Sequence, residues 1–397
     1  MKQEINIVGG GPAALMLAAH LDENKFKVTI FERNAALGRK FLVAGDGGFN
    51  LTHSEDPELF LQRYSPPEFL TDAFTSFNNS GLREWLKANG IETYIGSSKR
   101  VFPIKGIKPI DVLNAILNVL DKKGVEIKPN HEWSGWIGND LEFREKPTIK
   151  NQKSSVNIFS LGGSSWKVTG SDGNWTKAFS EKGIRIIPFQ PSNCAYQVQW
   201  KEDFISQAEG KSLKNISISC KSKSKKGEVV ITRFGLEGGA IYALSPEIRK
   251  QLKYNKTAEI FIDLKPHLTE EQITDKFSSR GNRSIKKMLI DRLSLDETQI
   301  ELLKSLLTKE EFTDPEILSK KIKRLPVTIT GSAPLDEAIS SVGGVDLSEV
   351  DRHFQLKKIP GNYCIGEMLD WDAPTGGYLL QACFSMGYYL AQHLNSK

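Results

Sequence analysis

The sequence predicts an α/β fold: a nucleotide-binding Rossmann sheet assembled from both chain ends, interrupted by an antiparallel β insert and a small helical subdomain. Three observations carry this. The first residues read strand, glycine turn, helix, strand; the middle of the chain changes to period-two alternation; the last residues repeat the strand-to-glycine-to-helix order.

At the start, Ile5-Asn6-Ile7-Val8 breaks into Gly9-Gly10-Gly11-Pro12-Ala13-Ala14, an Ala/Leu-rich helix follows from Leu15 to Leu21, and Lys27 to Phe31 runs into Glu32 and Arg33. Gly9, Gly11 and Ala14 fit G-x-G-x-x-G/A. The first glycine makes the tight turn, the second admits a diphosphate against the backbone, and the small third residue packs helix on strand. Free N–H groups at the helix N-terminus favour the same anion. Glu32 lies 23 residues after Gly9, near the spacing at which an acid hydrogen-bonds the adenosine ribose, and its charge selects against a 2′-phosphate. An ordinary glycine-rich turn would leave Glu32 unexplained.

Leu37 to Ser54 follows, with Arg39 and Lys40 ahead of Gly45, Gly47, Gly48, Asn50, Leu51 and Thr52. It reads as a loop lying along an extended ligand, its glycines allowing close approach and its cations offsetting phosphate charge. Helical patterns run from Leu82 to Ala88 and from Ile110 to Leu120, Gly124 to Ile127 reads as a strand, and Trp133 to Ser155 as a β-meander. Val156 to Leu161 is another strand ending in Gly162-Gly163, but a loop rather than a helix follows, so it is no second nucleotide fingerprint. A separate NAD(P)H domain is not expected.

From Pro188 the texture alternates, as in Ile216 to Cys220, Glu228 to Thr232 and Ala258 to Leu264, which predicts an antiparallel sheet or barrel. Lys221 to Lys226 is most simply a solvated hairpin end. Thr269 to Lys323 is charged and helix-patterned, and Leu325 to Thr330 is a strand. Near the end, Asn362 to Glu367 reads as a strand running into Gly366-Glu367. Asp370 to Tyr378, with Gly376-Gly377, then leads into a final helix from Leu379 to Leu394. That helix N-terminus would face the negatively charged side of a reduced isoalloxazine, with Glu367 on the ribityl chain.

Composition narrows the function class. The net charge of +5 and pI of about 8.8 fall short of the strongly basic balance of a nucleic-acid binder, so no nucleic-acid partner is expected. No signal-like or membrane-spanning run is read, which predicts a cytoplasmic protein with no membrane partner. Cys194, Cys220, Cys364 and Cys383 lack C-x-x-C spacing, which argues against a zinc site or redox disulfide.

Six motifs in order carry a family resemblance: Gly9-x-Gly11-x-x-Ala14; Gly38-Arg39-Lys40 with Gly45 to Thr52; Leu161-Gly162-Gly163-x-Ser165 with Thr169 to Gly173; Phe234-Gly235-Leu236-x-Gly238; Gly343-Gly344-Val345; and Gly366-Glu367-x-Leu369-Asp370 with Thr375 to Gln381. The chain resembles the bacterial NAD(P)/FAD-dependent oxidoreductases of the aminoacetone oxidase family, which includes bile-acid-reducing flavoproteins. Many relatives carry Ser-Gly-Gly-Gly-Arg-Cys-Asn where this chain has Ala44 to Asn50, so the substrate is not carried over. The resemblance implies a glutathione-reductase-type FAD domain from residues 1–187 and 343–397, a β-barrel-like insert from 188–266 and 324–342, and a helical subdomain from 267–323. The implied FAD contacts are Gly9, Gly11, Glu32, Arg39, Lys40, Gly366, Glu367 and Gly377. Pro12, Ala13, Arg33, Gly45, Asn50, Leu51, Thr52, Gly163, Asp370, Gly376 and Tyr378 complete the candidate set.

The expected activity is hydride transfer between FAD and a small organic substrate, with NAD(P)H as a candidate transient donor. The alternative is a flavin-binding RNA-modification or redox-sensing protein. No catalytic acid or base is assigned, though His53 is the histidine to test; substrate, electron acceptor and oligomeric state are left open.

Overall fold

The computed structural model describes residues 2–43, 49–145, 148–152, 156–278 and 284–397. They fall into two compact units, Met1–Gln190 with Ile339–Lys397, and Pro191–Ala338, each with its own apolar core.

In the first unit, β1 (Gln3–Val8) leads through the glycine turn into α1 (Pro12–His20) and β2 (Phe26–Phe31). Then come α2 (Arg39–Val43), β3 (Thr52–His53), β4 (Arg100–Pro103), β5 (Glu126–Lys128), β6 (Val156–Phe159), β7 (Asn362–Cys364) and the last helix, α3 (Tyr378–Asn395). The main sheet has the order β7-β6-β1-β2-β5 with every neighbouring pair parallel, so strands from both chain ends share it. Ile5 to Val8 and Val156 to Phe159 are buried without alternation, as a sheet covered on both faces requires.

One polar feature runs through this core. Asn6 Nδ2 donates to Asn157 Oδ1 and Asn157 Nδ2 to Asn362 Oδ1, each at 3.3 Å, linking three adjacent strands by a satisfied amide ladder. Above the sheet, α1 is buried from Ala13 to Ala19. Its small side chains let α3 come close: a Cβ on Gly387 would lie 2.4 Å from the Ala13 carbonyl oxygen.

The helix expected from Ile110 is Pro109–Lys122, with proline in its first turn, and the expected meander is a three-stranded antiparallel sheet of Glu132–Ile137, Asp140–Glu145 and Thr148–Gln152. The stretch read as one long loop from Leu37 is different. Gly38, at φ +69°, opens a helical turn: Leu42 N–H donates to the Gly38 carbonyl, Phe41 is buried, and Arg39 and Lys40 sit on α2. The apolar Phe41-Leu42-Val43 run, short as it is, outweighs the glycines that follow it.

The second unit holds a seven-stranded antiparallel sheet, ordered Leu325–Ile329, Ala258–Asp263, Ser212–Cys220, Lys223–Ile231, Gly235–Glu237, Tyr196–Gln197, Gly331–Ser332. Its two edge strands are consecutive in the chain, separated by Thr330 alone. The helices between Glu270 and Lys323 bury Leu289, Ile300, Leu303 and Leu318 in the same core as Ile218, Ile260 and Ile262 of the sheet. No helix among the described residues is long and apolar enough to cross a membrane.

Candidate cofactor-binding site

The first half of the site is the β1–α1 turn. Gly9 has φ +96°, and a Cβ there would stand 2.3 Å from the Ser160 carbonyl oxygen on the neighbouring strand end, so only glycine fits. Gly11 is the reverse case: a Cβ would meet nothing within 4 Å, which leaves open space before the helix. No side chain caps α1, and the N–H groups of Gly11, Ala13 and Ala14 have no acceptor among the described residues. Pro12 occupies the first helical position, where its missing N–H costs nothing.

Glu32, at the end of β2, is buried and holds this turn. Gly10 N–H donates to Oε2 at 2.9 Å, while the Asn34 N–H and Nδ2 donate to Oε1 at 2.8 and 2.7 Å. Each carboxylate oxygen can accept two bonds, so Oε2 keeps capacity for a ligand hydroxyl. Arg33 and Arg39 are committed within the chain. Arg33 pairs with Asp172 at 2.7 Å and also donates to the Gly170 carbonyl, and Arg39 donates to Asn34 Oδ1 at 2.8 Å. Together these pin the 167–173 loop against the β2 end.

The second half gathers residues from the far end of the chain. Lys40 Nζ lies 2.9 Å from Glu367 Oε2 and 2.8 Å from Ser165 Oγ. Glu367 also accepts from the Ser341 N–H at 3.0 Å, and a Cβ on Gly163 would fall 2.0 Å from Ser341 Oγ and 3.0 Å from Glu367 Cδ. Sequence reading gave Lys40 to phosphate and Glu367 to the ribityl chain; the structure pairs them with each other. Gly366 has φ +85° and receives Trp371 Nε1–H on its carbonyl, and Asp370 N–H donates to the Val345 carbonyl.

Gly376 and Gly377 have φ +109° and +100°, and a Cβ on Gly377 would lie 2.6 Å from Thr52 Cα. That close approach brings the α3 N-terminus against β3. Leu51 N–H donates to the Val101 carbonyl, Thr52 Oγ1 donates to Gln381 Oε1 at 2.7 Å, and Gln381 Nε2 donates to the Phe77 carbonyl at 3.0 Å. The N–H groups of Tyr378, Leu379 and Leu380 have no acceptor among the described residues, so α3, like α1, starts uncapped. Asn50 is half-buried beside this strand, and Gly45 lies outside the described residues.

Tyr378, one of the candidate residues, opens a cluster whose members Glu55 and Arg63 sequence reading did not name. Its hydroxyl donates to Glu55 Oε2 at 2.9 Å; Arg63 Nε donates to the same oxygen at 2.9 Å, and Arg63 Nη2 to Oε1. The Arg63 hydrogen bond holds the Glu55 carboxyl down to about 2, and burial followed by the Glu55 contact pushes the Tyr378 phenol well up. His53 stacks on Tyr378 at 5.2 Å between ring centroids, accepts the Glu55 N–H on Nδ1 at 3.1 Å, and is biased to its neutral form by burial. Glu55 and Arg63 carry no spacing signature, so only the fold reveals them. Burial raises the thiols of Cys364 and, to about 12, Cys383, which leaves both inert.

The donor set fits a dinucleotide: two uncapped helix starts, a glycine cradle at Gly11 open to its front, and an acid with spare acceptor capacity. The HI0933-like protein Rossmann domain matches residues 3–393. The chain belongs to that family. Among curated proteins this HI0933-like chain is 25% identical to a ribosomal RNA dihydrouridine synthase of Haemophilus influenzae, over 97% of this chain and 96% of the relative. It is 24% identical to a 3-dehydro-bile acid delta(4,6)-reductase of Clostridium scindens, over 97% of each. Among solved structures it matches a 3-ketosteroid delta1-dehydrogenase of Sterolibacterium denitrificans with a TM-score of 0.51 at 11% identity, over 99% of both chains. That likeness shows a shared fold.

Proposed function

We propose that this protein is an FAD-dependent oxidoreductase that transfers hydride from flavin to a small organic substrate carrying a conjugated carbon–carbon double bond, with NAD(P)H as transient donor. The observation that carries the reading is the pair of uncapped helix N-termini, α1 and α3, supplied by opposite chain ends to one compact unit. Gly11, Ala13 and Ala14 would hold the diphosphate through their N–H groups, and Glu32 would take an adenosine ribose hydroxyl on Oε2. The N–H groups at the start of α3 would face the pyrimidine edge of the isoalloxazine, where their dipoles favour negative charge. When bound, FAD supplies the hydride chemistry, and the protein supplies binding, orientation and electrostatics. A double bond as acceptor is supported by the two curated relatives, whose names both describe adding hydrogen to an unsaturated ring. The motif likeness to aminoacetone oxidases would instead give an amine oxidation.

A second reading has its own support. The Haemophilus influenzae relative is a ribosomal RNA dihydrouridine synthase and aligns over nearly the whole chain. On this reading the substrate ring is a uracil within RNA.

The test is the visible spectrum of the purified protein, identification of the released cofactor, and anaerobic addition of NADH or NADPH. Bound FAD that bleaches and is reoxidised by an enone steroid or by uridine-containing RNA supports the reductase. FAD that stays oxidised with either nicotinamide, yet is reduced by a primary amine, replaces it with an amine oxidase. A colourless protein that takes up no added FAD ends the flavin reading.

A further inference from the structure

Lysine is concentrated in one stretch of the second unit. Residues 211–227 hold six lysines, Lys211, Lys214, Lys221, Lys223, Lys225 and Lys226, and no Asp or Glu. The whole chain has 53 cations against 48 anions; without these six it has 47 against 48. Five of the six lie on one hairpin of the second unit, Ser212–Cys220 with Lys223–Ile231 and the turn between them, where Glu228 is the one acidic residue, a net charge of 5 − 1 = +4.

The hairpin presents that charge freely. All six lysines are exposed, and none forms a salt bridge among the described residues. Residues 223–228 are exposed without alternation, although the strand is paired with Ser212–Cys220. On its other side the strand pairs with Gly235–Glu237 only at Val230 and Ile231, so among the described residues no strand pairs along Lys223–Lys226. Serine hydroxyls alternate with the lysines, Ser217 and Ser224 meeting at 3.1 Å across the pair. Beside them a cleft of about 480 Å³ is lined by Lys214, Lys226, Glu228 and His267, among others.

We propose that this hairpin is a docking surface for the phosphate backbone of RNA. Clustered, uncompensated lysines with interleaved hydroxyl donors are the chemistry that neutralises a polyphosphate. A lysine-rich open edge also blocks strand addition by another chain. That role explains lysines along the edge strand; it does not explain Lys211, Lys214 and Lys221 on or beside the partner strand. The proposal rests on the RNA reading of the substrate.

The experiment uses the flavin-loaded protein, a labelled uridine-rich single-stranded RNA, and the variant K221Q/K223Q/K225Q/K226Q, with affinity followed by fluorescence anisotropy across salt concentrations. The expected result is wild-type binding that falls steeply with salt, with the variant binding roughly tenfold or more weakly and its log–log salt slope shallower by about 3, at ~0.7 for each phosphate no longer neutralised. Unchanged flavin occupancy and melting temperature in the variant show that folding is intact. Four outcomes overturn the proposal: no wild-type binding at low salt, equal affinity and slope in the variant, unchanged affinity with new self-association, or binding confined to phosphatidylserine vesicles. If the variant loses RNA binding while its bound flavin is still bleached by NADH or NADPH as in wild type, the docking surface is supported and the redox reading stands. If no flavin is bound at all, the redox reading fails separately.

Discussion

Lys40 and Glu367, 327 positions apart in the chain, meet at 2.9 Å and close the ring of interactions that joins α2 to the segment after β7. The Glu367 side chain is only 15% exposed, so its carboxylate depends on this ammonium and on the Ser341 N–H. Lys40→Met should lower unfolding free energy by roughly 1–3 kcal/mol, the cost of stranding a charged acceptor. The double variant with Glu367→Gln should recover part of that loss, because the stranded charge is gone. Urea midpoints for the two single variants and the double variant form the cycle; strict additivity would show that the pair is not coupled.

Glu32 has two tasks, of which the structure shows one. It anchors the glycine turn through Gly10 and Asn34, so Glu32→Ala leaves the Gly10 N–H and both Asn34 donors without this acceptor and should cost roughly 1–3 kcal/mol. Glu32→Gln keeps an oxygen for Asn34 but turns an NH2 group toward the Gly10 N–H. Both variants should emerge from gel filtration with less flavin than wild type. Full flavin retention alongside lowered stability would confine Glu32 to the structural task.

How much of this was readable in the sequence varies by element. The β1–α1 turn was, because Gly9, Gly11 and Glu32 are close in the chain and each answers a local backbone or spacing demand. The parallel sheet and the α3 start were readable for the same reason. Helix α2 was not: five residues followed by a glycine-rich stretch look like loop, and the hydrogen bond from Leu42 to Gly38 is invisible to composition. The Lys40–Glu367 pair, the Asn6–Asn157–Asn362 ladder and the Tyr378–Glu55–Arg63 cluster join residues from distant segments. Their partners are set by strand order and by where α3 lands on β3.

That landing gives a sharper prediction. Gly377 combines φ +100° with a backbone neighbour, Thr52, at 2.6 Å from any Cβ. A flexible side chain could move aside, but a strand backbone bonded into a sheet cannot. Gly377→Ala should therefore cost roughly 2–5 kcal/mol, combining left-handed strain with overpacking. Gly11→Ala, whose Cβ meets no protein atom within 4 Å, should leave apoprotein stability nearly unchanged and instead weaken flavin binding. Thermal melts of the two apoproteins with flavin titrations separate the cases. Equal melting losses would remove the distinction between a packing glycine and a ligand-facing one.

Glu55 supplies one limb of the acid response. Its carboxyl is held down to about 2, chiefly by the Arg63 hydrogen bond, against an ordinary value of about 4.5. The folded state thus favours the charged form: this stabilisation is present above about pH 4.5 and is lost as pH falls toward 2. Glu55→Gln should flatten the stability profile in that window and leave the neutral region unchanged in slope. An identical acid limb in the variant would mean that Glu55 does not titrate as its contacts indicate.

The opposite end of α3 titrates at milder pH. His353 and His393 stack with ring centroids 3.7 Å apart and planes 11° from parallel, with Tyr389 stacked on His353 at 5.4 Å. Burial, then the neighbouring His353, then Lys397, bring His393 down to about 4; Asp351 opposes them and Arg352 adds to them. His353 is lowered as well, by burial first and then Arg352, with Asp351 and Asp72 opposing. A folded value below the ordinary 6.5 means that the unfolded chain binds protons more readily between those limits. The contribution is therefore intact above about pH 6.5 and is lost as pH falls toward 4. His393→Phe keeps a flat ring over His353 but cannot take the proton. Its urea midpoint should change less than that of wild type between about pH 6.5 and about pH 4, with the difference confined to that interval. Parallel profiles for the two proteins would show that the stacked pair does not govern how the C-terminal helix responds to acid.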